Sequence, residues 1–243
     1  MKPFDKFEDP RRRVLIQALA AGLLSATLPV SNALGQNFFG SRPYKLPANQ
    51  SIYRMHGTVT VNGVAATMKT TVRVGDTVET GKNSEVVFVV GTHSMILRED
   101  SKLVVEGANK AATQVSGLRL ASGKLLTTSS GSQTLLTTTT ATMNARGTGW
   151  YAECDPERTY FCTCYGLVDM SANHNAQSRE TVSAKQHDRP LYILGKSAGE
   201  RAIRKAPFID HSDQELKLVE TLVGRTTPFM FPGDQYSGPR RGY

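Results

Sequence analysis

Cysteine is scarce. The chain carries three in 243 residues. That is too few for a disulfide-stapled miniprotein, and the odd number leaves at least one thiol unpaired within the chain. Long apolar runs are also missing. Beyond residue 30 none approaches the ~20 residues needed to span a bilayer as a helix, which excludes a polytopic membrane protein. Catalytic signatures are absent as well. There is no Gly-x-Ser-x-Gly elbow, no glycine-rich phosphate loop and no His-Glu-x-x-His, and lone carboxylates such as Asp76 and Asp169 read as turn residues. No Cys-x-x-Cys or Cys-x-x-Cys-His occurs, so neither a zinc ribbon nor a c-type haem attachment is encoded. No basic helix interleaves with aromatics, which argues against a nucleic-acid partner. The expectation is a protein that is not an enzyme.

What is present suits a globular chain: 39% hydrophobic and 21% charged residues, with 29 Lys+Arg against 21 Asp+Glu. The length fits one domain with additions or two small ones. Residues 1–35 read as an export signal. Arg11, Arg12 and Arg13 precede a run from Val14 to Val30 that carries no charge. Ala33-Leu34-Gly35 offers the small residues a signal peptidase reads, which predicts cleavage before Gln36. Arg11-Arg12-Arg13-Val14-Leu15 resembles a twin-arginine signal, with a paired Arg followed by two apolar residues, although Pro10 replaces the usual serine; a Sec signal is the alternative. Removing five basic and three acidic residues leaves 24 against 18, a net +6 read as ordinary solubility. The periplasm is the expected location, with no stable membrane anchor after cleavage.

Residues 36–55 read as a flexible lead-in with Pro43 and Pro47. From His56 the pattern is one of short strands punctuated by Gly and Asn. Thr58-Val-Thr-Val61 alternates with period two and stops at Asn62-Gly63, a hairpin signal. Further strands are expected at Thr71–Val74, Thr77–Thr80, Glu85–Val90, His93–Arg98, Lys102–Glu106, Gly117–Ala121, Gly123–Thr128, Thr134–Asn144 and Gly149–Glu153. This rhythm predicts an all-β fold. Leu194–Pro207 reads as a loop with a short helical turn. His211–Gly224 reads as a helix: Ser212 and Glu215 form a capping box, Leu216, Val219, Leu222 and Val223 an apolar stripe, and Gly224 the stop. The helix is expected to close an open face of the β domain.

Several of these segments resemble the iron-dicitrate regulator (FecR) domain family. Gly57–Gly63 is similar to its opening strand. Val74-Gly-Asp-Thr-Val-Glu-Thr-Gly-Lys-Asn-Ser84 is the most specific match, through Gly75, Asp76, Thr80, Gly81 and Ser84. Asn144-Ala-Arg-Gly-Thr-Gly149 resembles the closing strand through Arg146, Gly147 and Thr148. The resemblance covers residues 56–151. It implies an exported β domain of short stacked strands, β-solenoid-like, with a sandwich as the alternative, that receives or scaffolds a signal and contacts another envelope or periplasmic protein. Gly75-Asp76 reads as a turn, Gly81 and Asn83 as positions tolerant of positive φ, and Arg146 as one half of a salt bridge. Only 13 residues precede the apolar stretch, too few for a cytoplasmic domain that grips a sigma factor.

Residues 152–193 extend the β pattern and hold the remaining candidate chemistry. In Thr159-Tyr-Phe-Cys-Thr-Cys-Tyr165, Cys162 and Cys164 stand two apart on a strand and so share a face with Tyr160. A bridge between them would be strained. If Asp155–Arg158 is a four-residue hairpin loop, Cys154 lies opposite Thr159 and Cys162 opposite Tyr151; a wider loop would allow a Cys154–Cys162 disulfide. The sharper hypothesis is a transition-metal or haem site built from Cys162 and Cys164 with His187 and His211, which follow in sequence and can fold back over the pair. Otherwise no cofactor is expected.

Overall fold

The computed structural model describes residues 43–108, 114–129, 133–196 and 202–228. The segment read as an export signal and the end of the tail lie outside them. The strands are β1 (Ile52–His56), β2 (Val59–Val61), β3 (Val64–Ala65), β4 (Thr77–Thr80), β5 (Glu85–Val90), β6 (His93–Leu97) and β7 (Lys102–Glu106). After them come β8 (Gly117–Ser129), β9 (Gln133–Thr137), β10 (Ala141–Cys154), β11 (Arg158–Ala172), β12 (Asn175–Ala184), β13 (Leu191–Leu194) and β14 (Ile203–Lys205). One helix among the described residues, α1 (Asp213–Leu222), follows β14. The fold is all-β, with all 14 strands in one hydrogen-bonded sheet.

Three long strands bend the sheet into two halves. The first part of β8 pairs with β7, and the part after Gly123 pairs with β6 and β10. Gly123 sits at φ +85°, and a Cβ there would come within 2.0 Å of Ser101 Oγ, so only glycine permits the bend. β10 likewise pairs with β9 up to Arg146 and with β8 from Gly149. β11 pairs with β13 at its start and with β12 at its end. Both halves turn apolar side chains into one core. Val78, Leu103, Leu120, Met143 and Val168 come from one half, and Phe88, Met95, Leu125, Trp150 and Phe161 from the other. Along β5 to β11 the alternate residues Val87, Ile96, Leu126, Tyr151, Tyr160, Cys162 and Cys164 point the opposite way. That outer face is apolar because Leu216, Val219 and Leu222 of α1 cover it.

Local chemistry explains most boundaries. Asn62 and Gly63 take φ +53° and +78°, the left-handed pair a two-residue hairpin requires. Ser212 caps α1 by accepting the Glu215 amide, and Glu215 accepts the Ser212 amide in return. Several expectations need correction. Gly117–Ala121 and Gly123–Thr128 run on as one strand, β8, and β14 stands inside the stretch read as loop, paired with β13. Thr71–Val74 is not a strand; Asp76 captures the Arg73 amide at 2.7 Å and turns this stretch towards β4. Thr134–Asn144 is two strands, because the Thr138 and Thr140 hydroxyls both meet Thr159 at 2.7 Å and fold the chain back. Gly81 is not in the left-handed region; its Cβ position would lie 3.4 Å from the Thr58 Cβ, so close approach is what it provides. Also, β1 opens at Ile52, inside the segment read as lead-in, and pairs with β5. β10 runs without a break through residue 151.

His93 gives the core a measurable pH signature. It is 1% exposed, with Nε2 2.8 Å from Thr134 Oγ1. Burial, helped by nearby Arg225, lowers its pKa to about 4. A depressed histidine keeps the fold at full stability above its unfolded pKa of about 6.5 and costs stability as pH falls towards 4. The loss over that window is roughly 3 kcal/mol. Denaturant titrations at pH 7, 5.5 and 4 should show this slope in the native chain and not in His93→Gln. Equal slopes would show that His93 does not titrate as described.

Candidate metal centre

The cysteine strand lies where the hairpin reading places it. β10 and β11 pair with Cys154 opposite Thr159 and Tyr151 opposite Cys162. All three thiols are free. Cys154 points into the core, with its sulfur 3.5 Å from Thr139 Oγ1, whereas Cys162 and Cys164 lie on the outer face beneath α1.

Two loops bring histidines over that pair. The first follows β12. His187 holds φ +50°, an unusual conformation for a non-glycine residue. Two contacts impose it: Asp188 Oδ2 accepts the Lys185 amide at 2.5 Å and the Gln186 amide at 3.3 Å, and the His187 amide donates to the Cys164 carbonyl at 2.9 Å. The second loop leads into α1. The Ile209 amide donates to the Tyr160 hydroxyl at 3.4 Å, and His211 stacks on Tyr151 with ring centroids 4.6 Å apart. One donor atom from each of Cys162, Cys164, His187 and His211 lies within 4.8 Å of the other three. Cys162 Sγ is 3.6 Å from His187 Nδ1, and His187 Nδ1 is 3.0 Å from His211 Nε2. Tetrahedral zinc, with Zn–S near 2.3 Å and Zn–N near 2.0 Å, would set edges of roughly 3.3–3.8 Å between donors.

The outer nitrogens fix the direction of the inner ones. His187 Nε2 donates to Asp213 Oδ1 at 2.8 Å, and His211 Nδ1 donates to the Ile209 carbonyl at 2.7 Å. Both partners accept only, so each neutral ring carries its proton on the outside. The two inner nitrogens then lie 3.0 Å apart, with the Cys162 sulfur 3.6 Å from His187 Nδ1, so a proton or a cation can be held among these inner donors. Carboxylate–histidine and carbonyl–histidine pairs of this kind orient metal-ligating imidazoles.

Charge is already shifted in the same sense. The hydrogen bond from Cys164 holds the Cys162 thiol down, to about 4; burial opposes this, and His187 and His211 reinforce it. Burial and the neighbouring Cys162 charge push Cys164 up. For His187, burial alone would lower the pKa, but the hydrogen bonds to Cys162 and Asp213 win and raise it. The two thiols therefore do not ionise together without a cation to balance them. The order Asp213–His187–Cys162 is also that of an activated thiol nucleophile, but Cys162 is fully buried, so a substrate has no approach to its sulfur. The 670 Å³ cavity beside the helix, lined by Tyr165, Gln186, Glu220 and Arg225 among others, includes none of the four donors.

The other singled-out residues do not join this centre. Gly75 takes φ +93° in the turn before β4. Asp76 also accepts from Asn62 at 2.8 Å. Thr80 donates to the Arg98 carbonyl, and Ser84 accepts the Thr58 amide at 2.9 Å. The Gly81 amide donates to the Thr58 carbonyl at 2.9 Å. Arg146 pairs with Asp169 at 2.9 Å on the surface, Gly147 takes φ +56°, and Thr148 is buried. These residues build turns and strand ends. Sequence reasoning missed Asp213 as an orienting group and Phe208 as a cover. Phe208 packs on both His187 and His211, at 4.7 and 4.5 Å between centroids, and is 50% exposed. Asp213 is an acid in the first turn of α1, where the helix dipole alone accounts for it, and its distance from His187 in sequence hides the pairing.

No helix among the described residues is long and apolar enough to cross a membrane. No family model matches the chain. No curated protein matches it either. Three solved chains match in structure. Two are crystal structures, at 1.65 and 2.50 Å resolution, of a candidate anti-sigma factor from Parabacteroides distasonis. They are 8% and 7% identical to this chain, each with a TM-score of 0.43. Each match covers 54% of this chain and 58% of the other, so the chain spans less than two thirds of that protein.

Proposed function

We propose that the mature protein is an exported, non-catalytic β module that holds one divalent transition-metal ion, zinc being the best match, through Cys162, Cys164, His187 and His211. One observation carries this reading: four donor atoms from three separate segments converge to within 4.8 Å, and both imidazoles have their outer nitrogens pinned by acceptors. Two thiolates neutralise a divalent ion, which suits a centre enclosed by Tyr151, Tyr160 and Leu216, since a buried net charge is costly. Four protein ligands leave no open position, as in structural rather than catalytic zinc sites. A haem would need a flat slot between axial donors, whereas these donors converge on a point.

The resemblance to the FecR domain family supports the wider role, a periplasmic signalling module that contacts another envelope protein. The module and the ion belong to one reading, because the metal centre ties the C-terminal helix to the β domain. The test is elemental analysis of the protein purified from its native envelope, followed by replacement of the ion with cobalt. One equivalent of metal per chain, and intense visible bands of tetrahedral thiolate-bound cobalt, are expected. A metal-free protein that binds no added zinc, with all three thiols titrating freely, would overturn the metal reading and leave the protein-binding module.

A further inference from the structure

We infer that the ion is a latch: its occupancy decides whether α1 stays docked on the outer face of the sheet. This rests on the metal reading of the centre and adds a regulatory consequence to it.

The ligands are divided in a way that serves this role. Cys162 and Cys164 belong to β11, in the middle of the sheet. His211 immediately precedes Ser212, the N-cap of α1. Asp213, the first helical residue, holds His187. An ion at the centre therefore joins the sheet directly to the start of the helix through His211. It also joins them indirectly through His187 and Asp213. His211 is the ligand that adjoins α1, so the start of the helix is the part whose position the ion sets.

The helix needs such a tether. Its ten residues fall below the ~12–15 at which isolated helices hold in water. Its buried face offers three apolar side chains, Leu216, Val219 and Leu222, and also buries Glu220, an acid. Glu220 is accommodated by Tyr165, whose hydroxyl donates to it, and by Arg225, whose Nε lies 2.7 Å away. These contacts hold the C-terminal half. At the N-terminal half the ties besides the metal centre include Arg98–Glu215, at 2.6 Å, and the Gln186–Asp213 bond, at 2.9 Å; both are partly open to solvent.

Removing the ion leaves an awkward enclosure. Two inward ring nitrogens stand 3.0 Å apart beside two thiols, against Tyr151, Tyr160 and Phe208. Crowding so many desolvated polar groups into one enclosure is costly. The segment best able to relieve this is the loop 206–211. It carries Phe208, which is half exposed, and Asp210 at φ +54°. Moving that loop outwards takes His211 from the cluster and the N-cap of α1 from the sheet. The face uncovered is apolar: Val87, Ile96, Leu126 and Tyr151.

Hydrogen exchange on the full mature chain tests the latch. Amides of α1 and of β5 are followed in the metal-loaded protein, after chelator, and after one equivalent of added zinc, with metal content measured at each stage. Exchange across residues 213–222 should quicken by at least about a hundredfold on metal removal, a small part of what a structural metal site contributes, and recover with zinc. β5 should keep its protection. His211→Ala should show the quickened helix even with zinc present, because the remaining ligands reach α1 only indirectly, through the His187–Asp213 bond. If the ion leaves and α1 amides stay protected, the latch is wrong and the metal site stands. If β5 loses protection together with α1, the ion is a global staple and the latch is again wrong. If no zinc binds at any stage, the metal reading itself falls, and the latch with it.

Discussion

Cys164→Ser should weaken zinc binding by about three orders of magnitude or more, a fraction of the total that four ligands supply in small structural sites. Cys154→Ser should leave stoichiometry and affinity unchanged. The contrast is a strict one, because both sulfurs are buried and both lie on the same hairpin. What separates them is the face. Cys154 points into the core beside Thr139, and Cys164 points towards His187 and His211. Serine keeps the size of the side chain and loses the thiolate, so the loss reports coordination rather than packing. Asp213→Asn gives an intermediate case. It keeps a side chain of the same shape but replaces the carboxylate that orients His187, and a loss of about 10–100-fold is expected. Competition titrations with a chromogenic chelator read all three variants. Equal affinities for Cys154→Ser and Cys164→Ser would mean that the metal, if bound, is held elsewhere.

The hairpin that makes this contrast possible was legible in the residues. The residues left two loop lengths open, and the structure takes the four-residue one; once the loop length is set, period-two alternation decides that Cys162 and Cys164 face one way and Cys154 the other. The capping box of α1 was equally local, since Ser212 and Glu215 settle it between them. The meeting of His187 and His211 was legible only as a possibility. It depends on β12 returning along β11 and on β13 and β14 carrying the chain back, and no short-range pattern encodes those pairings. The Thr-rich stretch misled for a related reason. β-Branched residues favour strands, but the partner of Thr138 and Thr140 is Thr159, distant in sequence, and that hydroxyl network turns the chain. Gly81 was misread because a glycine can serve a close approach as well as a left-handed turn, and only the neighbouring Thr58 decides which.

The largest expected loss of stability lies on the opposite face of the same hairpin. Trp150 is fully buried, stands between Tyr151 and Gly149 on β10, and packs on Phe161 with ring centroids 5.6 Å apart. Trp150→Ala should cost about 3–5 kcal/mol, because the cavity it leaves is lined by strands from both halves of the sheet that cannot collapse independently. In thermal unfolding that is a fall of about 10 °C for a chain of this size. Trp150→Phe should cost much less, about 1 kcal/mol, and not only because it fills most of the space. The indole Nε1 has no hydrogen-bond partner among the described residues, so phenylalanine removes a buried donor that is not satisfied. Urea titrations of both variants, made metal-free and with zinc, separate packing from coordination. The alanine loss should appear in both states, since Trp150 pairs with Thr163 and points away from the sulfurs. The zinc-dependent increment should survive in both variants, because Tyr151, Cys162 and Cys164 keep their own face. A Trp150→Ala loss below about 1.5 kcal/mol, or one that zinc abolishes, would mean that the two faces of the hairpin are not independent and that the core does not rest on this residue.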